Sequence, residues 1–365
     1  MLLDCGHLKM LRESDFGILE PANPVKAMHK ALLYETLPDT YVRCNTCQWR
    51  CRLAPSQAGI CHSYENQGGV LHNLNYARVS SMSADPIEKK PLYHFHPGML
   101  CFSLGSWGCN FHCSGCQNWT IACAAKAKMD AGKHETSPES AVKLARDYRC
   151  HGLSWTYNEP TMWLEYTCDA ARLARQASLY TAYVTNGYLT PEAIDALGPY
   201  IQAWRVDVKG FGTVAYKKIA KITNWRAVLD SASRAKNKWG MHVEIVTNII
   251  PTVNDDGEQL KSIADWIVSE LGELTPWHVT RFYPQYEMLD IPATPLETLE
   301  CARDIGRQAG LKFVYLGNVG SHQNNDTVCY NCQSLVVRRD GFGAEVLGLN
   351  GSRCNRCKAE LNFRV

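Results

Sequence analysis

Three cysteines spaced C-x3-C-x2-C constrain this chain more than any other feature. They are Cys109, Cys113 and Cys116, in the stretch Gly105-Ser-Trp-Gly-Cys-Asn-Phe-His-Cys-Ser-Gly-Cys-Gln-Asn-Trp119. Three soft thiolates on one short loop suit the irons of a cubane cluster. The loop lacks a fourth thiolate, which leaves one iron open for chemistry, whereas a structural site closes its coordination. Zinc, or unliganded buried thiols, are the plainer alternatives. Gly105 and Gly108 stand where the backbone must bend closely around a cluster. The apolar run 99–104 just upstream reads as a buried strand, so the thiols leave a strand's carboxyl end.

A chain of 365 residues has room for two or three domains. A formal net charge of +2 argues for no polyanionic partner, so nucleic acid is not indicated. No apolar run approaches the ~18 residues of a membrane span. The start, Met1-Leu-Leu-Asp, lacks the apolar core of an export signal. We therefore expect a cytoplasmic protein without membrane contact. The 17 cysteines cluster in C-x2-C pairs, which in a reducing cytosol points to metal binding more than to disulfides.

Residues 1–80 read as a cysteine-rich metal-binding region, with a short helix expected over 27–37. Cys44, Cys47, Cys51 and Cys61 form its site. Zinc suits the C-x2-C knuckle and would hold together a segment with little core. An auxiliary iron–sulfur cluster is the rival, and unliganded thiols the third possibility. Residues 71–79 read as a strand. Residues 85–97 are rich in prolines, which forbid a helix there, and read as an ordered loop. Glu88, Lys89, Lys90, His94 and His96 in that loop are candidates either for a site or for structural roles.

From 81 to 320 strand and helix alternate. Strands are expected at 99–104, 152–157, 180–185, 203–208, 242–250 and 277–283, with one more possible at 313–317. Ser137-Pro138 and Thr190-Pro191 are helix-start pairs, and Thr294-Pro-Leu-Glu297 reads as a capping box. Near-continuous apolar strands between amphipathic helices predict an α/β fold with a parallel sheet, here a partial (β/α)6 barrel of the TIM type. Its strand ends deliver Asn158 and Glu159, Thr185 and Asn186, Asp207 and Lys209, and Asn248 to one rim, beside the three cysteines. A zwitterion would suit that rim. Glu159 would accept hydrogen bonds from an ammonium, Lys209 would meet a carboxylate, and Thr185 and Asn186 would add neutral hydrogen bonds.

The cysteine loop, together with Tyr157-Asn-Glu-Pro160, Val184-Thr-Asn-Gly187 and Asp207-Val-Lys209, resembles the radical S-adenosylmethionine (SAM) enzymes, and within them the glycyl-radical activating enzymes. Residues 85–95, Gly108-Cys-Asn-Phe111, Cys116-Gln-Asn-Trp119 and Tyr315-Leu-Gly-Asn-Val319 extend the likeness to the radical enzyme of the AmmeMemoRadiSam system, over about residues 40–360. The resemblance implies a [4Fe–4S] cluster on Cys109, Cys113 and Cys116. It implies reductive cleavage of SAM to a 5′-deoxyadenosyl radical that takes hydrogen from an unidentified substrate, a small molecule or a protein. It carries over Glu159 for the SAM ammonium, and Thr185, Asp207 and Lys209 for SAM or a nearby cation, with Asn158, Asn186 and Asn248 beside them. It also implies a reduced flavodoxin or ferredoxin as electron donor, and companions of the AMMECR1 and Memo types.

The chain departs from the family pattern at two places. Gly115 stands where an aromatic residue usually precedes the third cysteine, so the adenine would be held by backbone, by Phe111 or by Trp119. The ferredoxin-like insert of some activating enzymes is absent from 117–136, which carries one cysteine, Cys123. Installing a glycyl radical on a partner protein is therefore the second reading of function.

In residues 321–365, Cys329, Cys332, Cys354 and Cys357 form two knuckles around an expected hairpin, and the module resembles a zinc ribbon. A zinc-dependent binding module without redox catalysis is the reading from another class.

Overall fold

The computed structural model describes residues 29–124, 135–320 and 325–365. Cys5, the start of the expected 27–37 helix, and parts of the 117–136 stretch and of the 320–327 linker lie outside these residues. No helix among the described residues is long and apolar enough to cross a membrane.

Among the described residues, nineteen strands run in chain order. Before the barrel come β1 (His29–Lys30), β2 (Tyr34–Thr36), β3 (Val42–Cys44), β4 (Arg52–Leu53), β5 (Tyr64–Gln67) and β6 (Val70–Asn73). The barrel strands are β7 (Ser81–Pro86), β8 (Leu100–Gly105), β9 (Gly152–Trp155), β10 (Tyr180–Thr185), β11 (Ala203–Asp207), β12 (His242–Ile249), β13 (Trp277–Arg281) and β14 (Val314–Gly317). The tail holds β15 (Thr327–Val328), β16 (Leu335–Asp340), β17 (Gly343–Val346), β18 (Leu349–Asn350) and β19 (Arg353–Cys354).

The barrel strands form one sheet in the order β14-β13-β12-β11-β10-β9-β8-β7, open between its two ends. Strands β8 to β14 pair in parallel, while β7 pairs antiparallel with β8, Ser81 opposite Gly105. The result is a partial α/β barrel of seven parallel strands with an antiparallel edge. Both faces of the parallel strands are covered. Leu153, Trp155, Trp204, Val206, Ile245, Trp277 and Val279 are buried, together with Leu164, Ala170, Val228, Ile263 and Leu299 from the outer helices. Such double burial explains the near-continuous apolar strand sequences. The helices Pro138–Asp147 and Pro191–Leu197 begin at the expected caps, Ser137 accepting from Ser140 N (3.2 Å) and Thr190 from Ala193 N (3.1 Å).

Four local expectations are corrected. Residues 29–37 contain strands β1 and β2 instead of a helix. Pairing of His29 with Asn73, and the bond from Leu32 N to Glu165 Oε1 (2.8 Å), outweigh the helical spacing. The strand expected at 71–79 ends at Asn73, because Asn75 turns its amide onto Trp107 O (2.7 Å) and Ala77 takes a positive φ. Asp85 and Pro86 belong to β7, and a short 3-10 turn over Ile87–Lys89, closed by Lys90 N donating to Ile87 O (2.9 Å), precedes the loop proper although prolines flank it. The helix Leu296–Gln308 has no capping box. Thr294 Oγ1 donates to Ile249 O (2.6 Å) and accepts from Phe282 N (2.9 Å), so it ties strand ends together instead.

The tail sheet packs under the barrel floor, at the amino ends of the strands. There Glu244 accepts from Tyr93 N (3.0 Å), His94 N (2.8 Å), His242 Nε2 (2.9 Å) and His278 Nε2 (2.7 Å). His94 stacks on Phe363, and Arg339 donates to Tyr93 O (2.7 Å). His242, Glu244 and His278 thus lie far along their strands from the rim.

Candidate active site at the barrel rim

The cysteine loop leaves β8 at Gly105 and is held mainly by groups from other segments. Asn158 accepts from Ser106 N (2.9 Å) and donates to Ser106 Oγ (2.8 Å) and Gly108 O (2.8 Å). Trp49 Nε1 donates to Asn110 O (2.8 Å), and Ser114 N to Ile219 O (3.0 Å). Gly108 has φ of +80°, and a Cβ there would lie 2.6 Å from Cys61 O, so the loop passes the N-terminal region at backbone contact.

The three thiols share one environment. Burial raises the pKa of Cys109 and Cys113, and lifts Cys116 to about 11. Charge on Cys113 adds to the rise at both Cys109 and Cys116, and Glu159 adds to it at Cys109, whereas Lys209 opposes the rise at Cys113. Thiols in such a place become thiolates when a metal supplies the positive charge. Phe111 N already donates to Cys109 Sγ (3.3 Å), the kind of second-layer bond that orients a ligand.

Glu159 is buried at the centre of the rim. Its Oε1 accepts from Thr161 N (3.1 Å), from the Thr161 hydroxyl and from Thr185 Oγ1 (2.8 Å), and its Oε2 from Asn186 N (2.7 Å). Burial raises the pKa of its carboxyl against these donors. The side chain of Asn186 crosses to the cysteine loop, with Nδ2 2.7 Å from Asn110 Oδ1 and 3.8 Å from Cys109 Sγ.

On the other side, Asp207 pairs with Arg205 Nη1 (2.6 Å) and Lys209 Nζ (3.3 Å). Burial alone would lower the pKa of Lys209, yet Asp207 and Cys113 bring the net shift upward, so this lysine stays charged. Asp207 is held below the usual carboxylate range, the two cations overcoming burial. Asn248 reaches Arg281 O (3.5 Å) through Nδ2.

Phe111 is 2% exposed and packs on Tyr188, whereas Trp119 is 39% exposed and stacks on Tyr286. The missing aromatic at Gly115 has a steric reason. A Cβ there would lie 3.1 Å from both Phe282 Cε2 and Met288 Sδ, so Phe282 already fills that space from the β13 side.

Two rim residues were not singled out from the sequence, Asn110 and Arg205. Asn110 sits next to Cys109, a neighbourhood that the spacing itself marked. Arg205 faces Asp207 only through the two-residue period of β11. A cavity of about 390 Å³ opens beside the loop, lined in part by Cys61, Cys109, His112, Cys123, Tyr286 and Glu287. Asn110 Nδ2 and Asn248 Oδ1 are buried without a partner. Such orphaned groups, next to gathered thiols and a charged lysine, fit a metal cluster and a polar ligand.

The other cysteines form two further sets. Cys44, Cys47 and Cys61 are buried beside the half-buried Cys51. In the tail, the ligand atoms of Cys329, Cys332, Cys354 and Cys357 all lie within 4.8 Å of one another, as one metal ion requires. Of the loop candidates, Lys90 is paired with Asp85 (2.6 Å), Glu88 accepts from Gly98 N (2.7 Å), and His94 lies between Leu361 O and Tyr315 Oη.

Comparison with known proteins agrees with this arrangement. Residues 106–267 match the profile described as the Radical SAM superfamily. An uncharacterised protein of Methanocaldococcus jannaschii is 40% identical over 338 residues, covering 92% of this chain and 99% of that one. The isethionate sulfite-lyase activating enzyme of Nitratidesulfovibrio vulgaris is 26% identical over 47% of this chain and 56% of its own. The pyruvate formate-lyase-activating enzyme of Clostridium pasteurianum is 27% identical over 50% of this chain and 77% of its own. The profile match runs from the cysteine loop through the four strands that follow it, and one relative is alike along nearly its whole length: the chain belongs to the radical SAM superfamily.

Proposed function

We propose that Cys109, Cys113 and Cys116 hold a [4Fe–4S] cluster, and that SAM lies across the rim between Glu159, Thr185 and Asn186 on one side and Asp207 and Lys209 on the other. The observation that carries this reading is that Asn186, held by the buried Glu159, reaches across to Asn110 and toward Cys109, so the wall of the rim is tied to the cysteine loop. When bound, cluster and SAM supply a one-electron reductive cleavage whose 5′-deoxyadenosyl product takes a hydrogen atom from substrate. The chain's own part is positioning. Lys209 stays protonated to meet a carboxylate, and Glu159 fixes Thr185 and Asn186 in place. Asn158 and Trp49 keep the cysteine loop in shape, and the walls of the rim limit access of water. Phe111 within the loop and Trp119 after it are, with the loop backbone, the groups for the adenine, while Asn248 offers its free oxygen.

The electron comes from a reduced flavodoxin or ferredoxin type of donor. The substrate is a small molecule or a residue of a partner protein. Similarity to two activating enzymes favours a second reading, a radical installed on a partner. Residues 85–95 and 315–319 support placement in the AmmeMemoRadiSam system, with AMMECR1-type and Memo-type companions. Zinc suits the tail quartet, and a metal site suits Cys44, Cys47, Cys51 and Cys61. Every described cysteine is a free thiol, which supports a cytoplasmic setting.

The test is anaerobic release of 5′-deoxyadenosine from SAM with a strong reductant, intact protein beside Cys113→Ala. Release by the intact protein alone supports the reading. A fully iron-loaded protein that releases none, with or without candidate partner proteins, overturns it.

A further inference from the structure

The four N-terminal thiols differ from the tail quartet in their spacing. Tetrahedral zinc, with Zn–S near ~2.3 Å, holds its sulfurs about 3.8 Å apart. The tail set matches this, with 3.5 Å between the sulfurs of Cys329 and Cys357 and 3.7 Å between those of Cys332 and Cys354. Among the described residues, no other three ligand atoms of Cys, His, Asp or Glu all lie within 4.8 Å of one another. Neither Cys44, Cys47, Cys51 and Cys61 nor Cys109, Cys113 and Cys116 is drawn in that far.

The N-terminal thiols nevertheless converge. A Cβ on Gly59 would lie 3.7 Å from Cys51 Sγ and 3.8 Å from Cys61 Sγ. Cys44 N donates to Cys51 O (3.0 Å), and Cys44, Cys51 and Cys61 pack in one cluster, with Cys47 buried beside them. Four converging thiols set wider than one ion allows suit a cubane, whose irons at alternate corners keep their thiolates farther apart.

The second observation is the position of this set. Cys61 O touches the backbone at Gly108, and Trp49 Nε1 bonds Asn110 O. Cys47 bridges to Leu189, and Gln48 N donates to Tyr188 O (3.1 Å), directly after the rim residue Asn186. Cys61 and Cys109 line the same cavity. A centre on the N-terminal thiols therefore packs against the loop of Cys109, Cys113 and Cys116 through several direct contacts.

We propose that Cys44, Cys47, Cys51 and Cys61 ligate a second cubane iron–sulfur cluster, closed by four thiolates and packed against the cysteine loop as a one-electron carrier. It accepts one electron from the flavodoxin or ferredoxin type of donor and returns to its oxidised state on passing that electron to the neighbouring site, so no other reactant is consumed. The carrier role rests on the radical SAM reading of that neighbour, while the ligand assignment does not.

The experiment uses the full chain, reconstituted anaerobically with iron and sulfide, with metal analysis and electron paramagnetic resonance of the reduced protein. The intact chain is expected to hold about eight irons and about one zinc. Replacing Cys109, Cys113 and Cys116 together by alanine leaves about four irons, whose signal ignores added SAM. Cys47→Ser with Cys51→Ser also leaves about four, whose signal shifts with SAM. An intact chain with about four irons and about two zincs, and an iron-free triple alanine variant, overturn the second cluster. If instead SAM shifts no signal while the triple alanine variant keeps its iron, the second cluster stands and the radical SAM reading falls. The triple alanine variant changes no residue of the N-terminal region and keeps its four thiols, so poor folding of the Cys47/Cys51 variant does not decide the matter.

Discussion

Asn186 binds Glu159 through its backbone and the cysteine loop through its side chain: N donates to Glu159 Oε2, and Nδ2 to Asn110 Oδ1, each at 2.7 Å. One residue thus couples the buried carboxylate to the segment between Cys109 and Phe111. Asn186→Ala keeps the backbone bond and removes the other. Such support around metal ligands is worth about 10- to 100-fold. We expect iron content near the intact level and 5′-deoxyadenosine release lower by about that factor, read in parallel iron and product assays. Unchanged release would show that the Asn186–Asn110 bond has no bearing on the site.

Glu159→Gln tests the carboxylate itself. Glutamine keeps one acceptor oxygen and turns an NH2 toward either Asn186 N or the Thr161 and Thr185 donors. A buried donor left facing a donor costs about 1–3 kcal/mol. Urea unfolding of the metal-loaded chain should show that loss, together with weaker SAM binding in a titration. Equal stability would mean that these bonds rearrange freely.

Gly115→Phe should fail for a local reason, since its Cβ meets Phe282 and Met288 at 3.1 Å. Iron incorporation is expected to drop severely. Adding Phe282→Ala opens the same space from the other side and should recover part of it. Absence of rescue would place the defect elsewhere in the loop.

The barrel floor predicts acid sensitivity. His94 is pushed down to about 3, first by burial and then by the charges of Arg339 and His242, although Glu244 opposes this. Its folded value lies below the unfolded one of about 6.5, so the unfolded chain takes up the proton more readily. Stability conferred by neutral His94 is present above about pH 6.5 and is lost as pH falls toward about 3. Buried His278, also shifted down, and Glu244, held below the carboxylate range by His242 and His278 despite burial, act in the same sense. Between about pH 7 and about pH 5 the intact chain should lose on the order of 2 kcal/mol more than His94→Gln in urea unfolding. Identical losses would remove His94 from the account.

The tail should depend on its metal. Cys354→Ser breaks the quartet that could hold a metal ion, and a module this small is expected to fold only with such an ion. Because His94 stacks on Phe363 and bonds Leu361 O (2.8 Å), loosening of the tail should reach the barrel floor. Hydrogen exchange is expected to rise in residues 325–365 and also around Tyr93 and Tyr315. An increase confined to the tail would show that the two are independent.

The sequence by itself determined what local pattern controls. The spacing of Cys109, Cys113 and Cys116 marked the cysteine loop at the rim. The strand–helix alternation led to the parallel sheet, because strands covered on both faces must be apolar throughout, and Ser137 and Thr190 began helices because capping is settled within one turn. Delivery of Glu159, Thr185, Asp207 and Lys209 to one rim followed from parallel topology alone. Only the tertiary structure decided what depends on distant partners. Residues 29–37 became strands through pairing with β6 and β3, and Thr294 left its helix for Ile249 and Phe282. Phe282 explains Gly115 from more than 150 positions away. Asn110 acquired its place through Asn186, and Arg205 through its bond to Asp207. The sulfur spacings that separate the tail quartet from the N-terminal one are likewise set by packing. Spacing along a chain limits which thiols meet, while the surrounding backbone fixes how far apart they stand.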